Sequence, residues 1–374
     1  MEPEFDIIIL GMGAMGSAAA AHLASRGLRL VGVDRFTPPH TLGSSHGQTR
    51  IIREAYFEGP AYVPLVQQAY VNWERLARDS GRQLLLPTGG LMLGYPDSEV
   101  VRGALRSARD HGLQVEWIGT GQVKARFPAL RPPPGTVAVL EPRAGILFPE
   151  TCITAHLEQA SRFGAAFRFN EAAIRWEPVQ DGFRVTTSRG SLLGKKLLLT
   201  TGAWLGDLAP DMIPPLQVER QVQYWFSPAG PASLFDPARF PVFIWSPDEH
   251  TCFYGFPDLG QGIKVAFHHG GDLAVADRID RVVHDSEIEA VRNLLATYLP
   301  GANGRLMHAA VCMYTNTPDQ HFRLAMPARY PGLLVASICS GHGFKFASAF
   351  GEILADLLVE GRTRFDLSLF GLSR

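Results

Sequence analysis

The stretch FDIIILGMGAMGSAAAAHLASRGLRLVGVD, residues 5–34, leaves few folds open to this chain. Phe5 to Leu10 is a continuous apolar run of strand length, the pattern of a parallel strand buried on both faces. Gly11, Gly13 and Gly16 follow in GxGxxG spacing, and an alanine-rich helix runs on to a stop at Gly27. LRLVGVD is a second strand, so the segment is a βαβ unit. In such a unit the first glycine permits the tight turn, the second lets the backbone approach a pyrophosphate, and the third allows close helix–strand contact. The diphosphate then rests on the unpaired N–H groups of the helix start. Asp34 closes the second strand, where a carboxylate accepts hydrogen bonds from ribose hydroxyls; an acid there favours FAD or NAD over NADP.

Beyond this unit the pattern alternates in type. AYVPLVQQAYVNWERLARDSG and ETCITAHLEQASRFG are expected helices, and FRFN, GFRVTTS and KKLLLTTG are short strands. QVERQVQYWF alternates polar and apolar residues, and FPVFIW, TCFYGF and GIKVAF extend the same antiparallel sheet. DSEIEAVRNLLATYLP is a helix with its N-cap at Asp285 or Ser286. The chain then returns to α/β character, with GLLVASI as a strand, SGHG as a turn and FKFASAFGEILADLLVEG as a helix. The expected class is therefore mixed α/β (α+β): a Rossmann-like dinucleotide domain and a second domain built on an antiparallel sheet. The two interleave, with the cofactor domain made of 1–84, 147–218 and 320–374 and the substrate domain of 85–146 and 219–319.

Bulk properties narrow the function. A formal net charge of -1, from 35 basic and 36 acidic residues, provides no global field for nucleic acid or an anionic membrane. No apolar segment approaches the roughly 20 residues needed to span a bilayer. The N-terminus has no basic n-region and the terminal GLSR is not the SKL address. Cys152, Cys252, Cys312 and Cys339 are far apart, with no CxxC and no zinc-finger spacing. A cytoplasmic protein with reduced thiols is expected.

Three further segments carry chemistry. In LGSSHGQTRIIREAY, small residues Gly43, Ser44 and Ser45 precede His46 and Thr49, and Arg50 and Arg53 follow. Their i, i+3 spacing would put both guanidiniums on one face of a helix, one toward a cofactor and one gripping a substrate carboxylate. A solvated basic face is the plainer alternative. In GIKVAFHHG, Lys264, Ala266 and His268 would share one face of a strand and line a pocket, with a surface lysine and an incidental histidine as the alternative. In SGHGFKF, Gly341 and Gly343 form a turn and Lys345 falls in the first turn of a helix, where a cation opposes the dipole unless it serves an anion. Cys312, in HAAVCMYTNTPDQHF, reads by itself as a small buried hydrophobe.

Taken together, ILGMGAMGSAAA, GSSHGQTRIIREAYFEG, FYGFP with GIKVAFH, CMYTNTPDQHF and SGHGFKFASAFGEILADL resemble, nearly end to end, the monomeric sarcosine oxidase family, which includes N-methyltryptophan and pipecolate oxidases. The resemblance implies FAD bonded through its 8α-methyl carbon to the sulfur of Cys312, a reaction that needs a thiolate favoured by nearby positive charge. It implies a substrate-carboxylate clamp of Arg53 and Lys345, His268 beside the amine, Tyr254 and Ile244 lining the cavity, and Lys264 activating oxygen on the other flavin face. Arg50, Thr49 and His46 match positions at the flavin ring. The implied FAD-contacting set is Gly11, Gly13, Ala14, Met15, Gly16, Asp34, Arg35, Gly43, Ser44, His46, Thr49, Arg50, Thr201, Gly202, Trp204, Cys312, Met313, Gly341, His342, Gly343, Phe344 and Lys345. The implied partners are a secondary amino acid and O2, with no nucleic acid or membrane, and the implied state is a monomer.

Two departures stand out. Ser45-His46 replaces the two adjacent histidines common among these sarcosine oxidases, and FIWSPDEHTC differs, placing Ile244 and Trp245 near the expected pocket wall. An N-methyl amino acid, most simply sarcosine, is the expected substrate. The competing readings are oxidation of N-methyltryptophan or pipecolate, a flavin or NAD-dependent dehydrogenase, and a flavin-binding protein without catalysis.

Overall fold

A computed structural model describes residues 3–372. The last two residues of the GLSR tetrapeptide and the first two of the chain lie outside that range. Among the described residues an eight-stranded sheet is centred on Phe5–Leu10, which runs parallel to Gly190–Leu199 on one side and Leu30–Val33 on the other. Ile7 to Leu10 are buried, as a strand covered on both faces requires. Leu333–Ser337 adds a further parallel strand beside Gly190–Leu199, so the two ends of the chain meet in one sheet.

The helix Ala14–Ala24 is buried nearly all round, which explains its run of alanines. It packs between the helices Pro149–Arg162 and Ala347–Glu360. A Cβ at Gly351 would stand 2.7 Å from the Ala18 backbone and side chain, so the last helix approaches the first as closely as its backbone permits.

Among the described residues the second sheet has nine strands. Its long pair, Gln217–Phe226 and Leu306–Asn316, is antiparallel, with Glu219 opposite Tyr314 and Gln221 opposite Cys312. Val242–Ser246, Phe253–Asp258 and Ile263–Phe267 continue the sheet. Its outer face buries Phe226, Phe243, Trp245, Phe253 and Val265 against the helix Asp285–Tyr298 and the segments around it.

Several expectations are corrected. Arg50 and Arg53 are not on a helix: Arg50–Ile52 is a short strand of a third, three-stranded sheet, paired with Gly145–Leu147, and Arg53 follows it. The β-branched Ile51 and Ile52 suit that extended pairing. Trp245 is fully buried in the outer core, away from the cavity that Ile244 lines, because neighbouring residues of a strand face opposite ways. Lys345 precedes the final helix, in a 3₁₀ turn over Phe344–Phe346. The N-cap of Asp285–Tyr298 is His284, whose N–H donates to Glu287 at 2.8 Å. Cys252 and Cys339 lie just outside strands, and all four cysteines are unpaired. No helix among the described residues is long and apolar enough to cross a membrane.

Candidate active site and cofactor cradle

A cavity of about 430 Å³ runs from the glycine turn to the inner face of the second sheet. Its first end is the cradle that the βαβ unit builds. Gly11 has φ +87°, and a Cβ there would stand 2.5 Å from the Thr200 carbonyl oxygen; one at Gly16 would stand 1.9 Å from the Gly11 carbonyl oxygen. Only glycines permit this packing. The Asp34 carboxylate accepts from the N–H groups of Met12 at 2.7 Å and Phe36 at 2.9 Å, fixing the turn. Burial raises its pKa, against those hydrogen bonds. Gly13, Ala14, Met15, Arg35, Gly43, Ser44, Thr201, Gly202 and Trp204 line this end. Arg35 stacks on Trp204 at 4.9 Å and pairs with Asp277 of the second sheet's connecting segment.

The middle of the cavity is ringed by Arg50, Met313, Gly341, His342, Gly343, Phe344 and Lys345. Cys312 stands immediately behind this wall. Its sulfur is 3.8 Å from the Arg50 guanidinium and 3.6 Å from the Ser44 carbonyl oxygen. The cysteine that the sequence by itself left as a small hydrophobe therefore has a cation beside it and two wall residues in contact.

Lys264 and Thr49 also lie behind the wall. Lys264 donates to the carbonyl oxygens of Gly47 at 2.6 Å and Thr49 at 3.1 Å, and to the Thr49 hydroxyl at 3.1 Å. The Trp225 and Phe256 rings flank its ammonium at 5.1 and 5.0 Å. Burial and the Arg50 charge lower its pKa well below the usual lysine range, while the oxygens and ring faces favour the charged form. His46 is buried, and burial with the Arg50 and Lys264 charges brings its pKa down to about 3, so its ring is neutral near pH 7. The side-chain atoms His46 Nε2, Thr201 Oγ1 and Gln223 Oε1 are buried without a protein partner, and Thr201 and Gln223 line the cavity. A glycine cradle, an acid at the ribose position and orphaned polar atoms along the wall fit an FAD molecule.

The far end is the substrate side. Arg53, Glu58, Ile244, Tyr254, Phe256, His268 and Tyr314 face the cavity there. Arg53 donates to both Glu58 oxygens, at 2.7 and 2.5 Å, and its guanidinium stacks on Tyr56 and Phe57 at 4.2 Å. Its Nε is buried without a partner. Lys345 donates to the His342 carbonyl oxygen at 2.7 Å and lies 3.3 Å from the Tyr56 hydroxyl. Burial and the Arg53 charge lower its pKa to about 7, against the pull of Glu58. Burial would raise the Glu58 pKa, but the Arg53 charge, together with His342, Lys345 and the hydrogen bond from Arg53, outweighs it and brings the carboxyl down to about 2. His268 lies 3.3 Å from the Tyr314 hydroxyl, and burial drives its pKa well below the imidazole range.

Sequence reasoning missed several supports of this site. Glu141 accepts from the N–H groups of Glu54 at 2.7 Å and Ala55 at 2.8 Å, anchoring the turn that carries Arg53. Glu150 accepts from Gly47 at 2.8 Å and Gln48 at 3.0 Å, holding the loop that supplies the oxygens around Lys264. Glu58 sits inside the quoted REAYFEG segment, yet its pairing with Arg53 is a tertiary fact that spacing did not show.

Residues 6–357 match the family described as FAD dependent oxidoreductase. The chain belongs to that family. Among relatives of this FAD-dependent oxidoreductase, monomeric sarcosine oxidase of Streptomyces avermitilis is 43% identical, over 99% of this chain and 97% of that one. N-methyl-L-tryptophan oxidase of Salmonella arizonae is 35% identical, over 99% of each. Of solved structures, NikD, an unusual amino acid oxidase essential for nikkomycin biosynthesis, superposes with a TM-score of 0.84 at 23% identity, covering 98% of this chain and 97% of that one. Glycine oxidase of Geobacillus kaustophilus has a TM-score of 0.82 at 20% identity, covering 99% and 98%. These two likenesses show the fold alone, mixed α/β with a second, largely antiparallel sheet.

Proposed function

We propose that this FAD-dependent oxidoreductase is an oxidase of N-methyl or other secondary amino acids, with sarcosine as its substrate. Sarcosine, O2 and water would give glycine, formaldehyde and hydrogen peroxide. The observation that carries this reading is the pair of buried cations, Arg53 and Lys345, on the cavity wall with the half-buried, neutral His268. The 43% identity to a named sarcosine oxidase supports the choice of substrate.

Arg53 and Lys345 hold the substrate carboxylate, with charge-assisted bonds strengthened by burial. The unpartnered Nε of Arg53 provides a donor beyond those Glu58 already uses. His268, neutral and close to Tyr314, gives the amine a hydrogen-bond partner without adding charge. The nearby Arg50 and Arg53 charges favour the neutral amine, whose lone pair assists C–H cleavage. Ile244, Tyr254 and Phe256 exclude water from that end. FAD supplies the hydride acceptor and passes the electrons to oxygen. Lys264 is assigned to stabilise negative charge developing on oxygen. Arg50, Thr49 and His46 would hold the flavin ring, and the Cys312 sulfur would carry the bond to its 8α-methyl carbon. The cofactor-holding part would be 1–84, 147–218 and 320–374, the substrate-holding part 85–146 and 219–319, and the enzyme a cytoplasmic monomer.

Oxygen-dependent peroxide release with sarcosine, N-methyltryptophan and pipecolate tests the reaction. Sarcosine is expected to have the highest kcat/KM. Release with none of the three would contradict the reading, and turnover with a dye but not with O2 would make the protein a dehydrogenase. For the attachment, acid-denatured protein is expected to keep its yellow colour, and Cys312→Ser to lose it to the supernatant. Flavin that washes free of fully assembled wild-type protein would refute the bond.

Lys345 gives the clamp a pH dependence. With a pKa of about 7 before a ligand binds, it is protonated below that pH and neutral above it. A bound carboxylate favours the ammonium, so acetate affinity should be flat below pH 7. Above it, affinity should weaken by up to about tenfold per pH unit, the limit for one linked proton. Calorimetric titration checks this, and Lys345→Met should abolish the slope.

A further inference from the structure

The turn after Lys264 reads HHGGD, and its second histidine has no part in the chemistry above. His269 has a left-handed backbone, φ 64°, which a residue with a Cβ rarely adopts unless its surroundings impose it. Here they do. A Cβ at Gly271 would stand 1.8 Å from the Arg220 carbonyl oxygen, so the turn lies hard against the strand Gln217–Phe226. Glu219 of that strand is the anchor. It is buried, and its carboxylate accepts from Gly271 N–H at 2.8 Å, Gln221 at 2.6 Å, Asn316 at 2.5 Å and His269 Nδ1 at 3.2 Å.

The His269 ring lies 4.4 Å from the His268 ring and 5.1 Å from the Tyr314 ring, centroid to centroid. Gly341 closes the other side: a Cβ there would meet the Tyr314 ring at 2.8 Å and the His269 ring at 3.2 Å. His269 is thus wedged among the groups that set where His268 and Tyr314 stand, without lining the cavity that they face. It faces instead a second cavity of about 770 Å³, and His268 belongs to the walls of both.

We infer that Glu219 and His269 are a positioning pair for the amine subsite, an inference that rests on the proposed amine oxidation. The carboxylate fixes the His269 ring, and that ring fixes the His268 imidazole and the Tyr314 phenol against the substrate nitrogen. The clamp for the carboxylate is built from other segments, so the pair should govern the rate of amine oxidation and leave carboxylate binding alone. The Glu219 carboxyl is already held below the usual range, its hydrogen bonds from His269 and Gly271 outweighing burial. It is therefore charged at neutral pH and draws the His269 proton onto Nδ1.

His269→Asn is the decisive variant, because asparagine tolerates the left-handed backbone and retains a donor for Glu219 but removes the ring. In the holoenzyme under anaerobic conditions, sarcosine is expected to bleach the flavin about tenfold more slowly than in wild type, as small misplacement near the reacting atoms costs rate steeply. The acetate dissociation constant should stay within about twofold of wild type, since uniform binding is untouched. The melting temperature should fall by no more than about 4 °C. Glu219→Gln, which removes the charge and puts an NH2 that cannot accept in place of one of the two accepting oxygens, should slow bleaching in the same sense. Bleaching at the wild-type rate in His269→Asn would overturn the pair, and so would an acetate affinity that falls in step with the rate. Wild-type enzyme that no secondary amino acid bleaches would instead overturn the underlying reaction.

Discussion

Arg53→Met is expected to lower kcat/KM for sarcosine by about a thousandfold, the loss of a charge-assisted bidentate contact in a site shielded from water. The same change leaves Glu58 without its partner. Glu58 accepts two hydrogen bonds from Arg53, and its low pKa depends on that charge. Breaking such a pair costs about 3 kcal/mol of stability. A simple unfolding effect must therefore be separated from a lost clamp. The double variant Arg53→Met/Glu58→Gln removes the stranded charge, so thermal stability should return most of the way while turnover stays low. Recovery of turnover together with stability would show that Arg53 serves the fold alone. Glu58 has a pKa below its ordinary value, so its contribution to stability is present near neutral pH and lost as the pH falls toward 2.

Lys264→Met should separate the two halves of the reaction. Anaerobic bleaching by sarcosine is expected to change little, because Lys264 is not on the wall that faces the substrate. Reoxidation by O2 should slow by a factor of about 100 to 1,000, the usual cost of removing one preorganised charge-stabilising donor. Rapid mixing of substrate-bleached enzyme with oxygenated buffer measures this step alone. Methionine preserves the length of the chain between Trp225 and Phe256, so packing is retained while the ammonium is removed. Unchanged reoxidation would remove Lys264 from the oxygen step.

The parts of this molecule that local pattern governs were legible in the chain. Phe5–Leu10, the glycine turn and the alanine helix are consecutive and each is set by its own local pattern, so periodicity and three glycines sufficed even though they pack mainly on Gly190–Leu199, Pro149–Arg162 and Ala347–Glu360. The i, i+3 arithmetic for Arg50 and Arg53 failed because Arg50–Ile52 takes its conformation from Gly145–Leu147, a partner remote in sequence. The misplaced Trp245 is a different case. Strand alternation already implied that Ile244 and Trp245 face opposite ways, and the burial of Trp245 follows that rule.

Distance in the chain also hid the chemistry of Cys312. Its sulfur meets Ser44 and Arg50, contacts that the long strand Leu306–Asn316 creates by crossing under the early loop. Nothing in CMYT by itself announces a neighbouring guanidinium; the family resemblance singled out the cysteine, and the fold provides the cation. Glu141, Glu150 and Glu219 were invisible for the same reason. Each carboxylate secures backbone N–H groups in a distant or tightly folded turn, an act that leaves no spacing signature.

Anaerobic titration of the holoenzyme with sarcosine, followed by admission of oxygen, tests the proposed reaction most directly. Without oxygen the flavin absorbance should bleach as formaldehyde and glycine appear in equal amounts, matching the flavin present. Oxygen should then restore the colour and yield the same amount of hydrogen peroxide. Flavin that dithionite bleaches but no N-methyl or cyclic secondary amino acid does would contradict amine oxidation at this site.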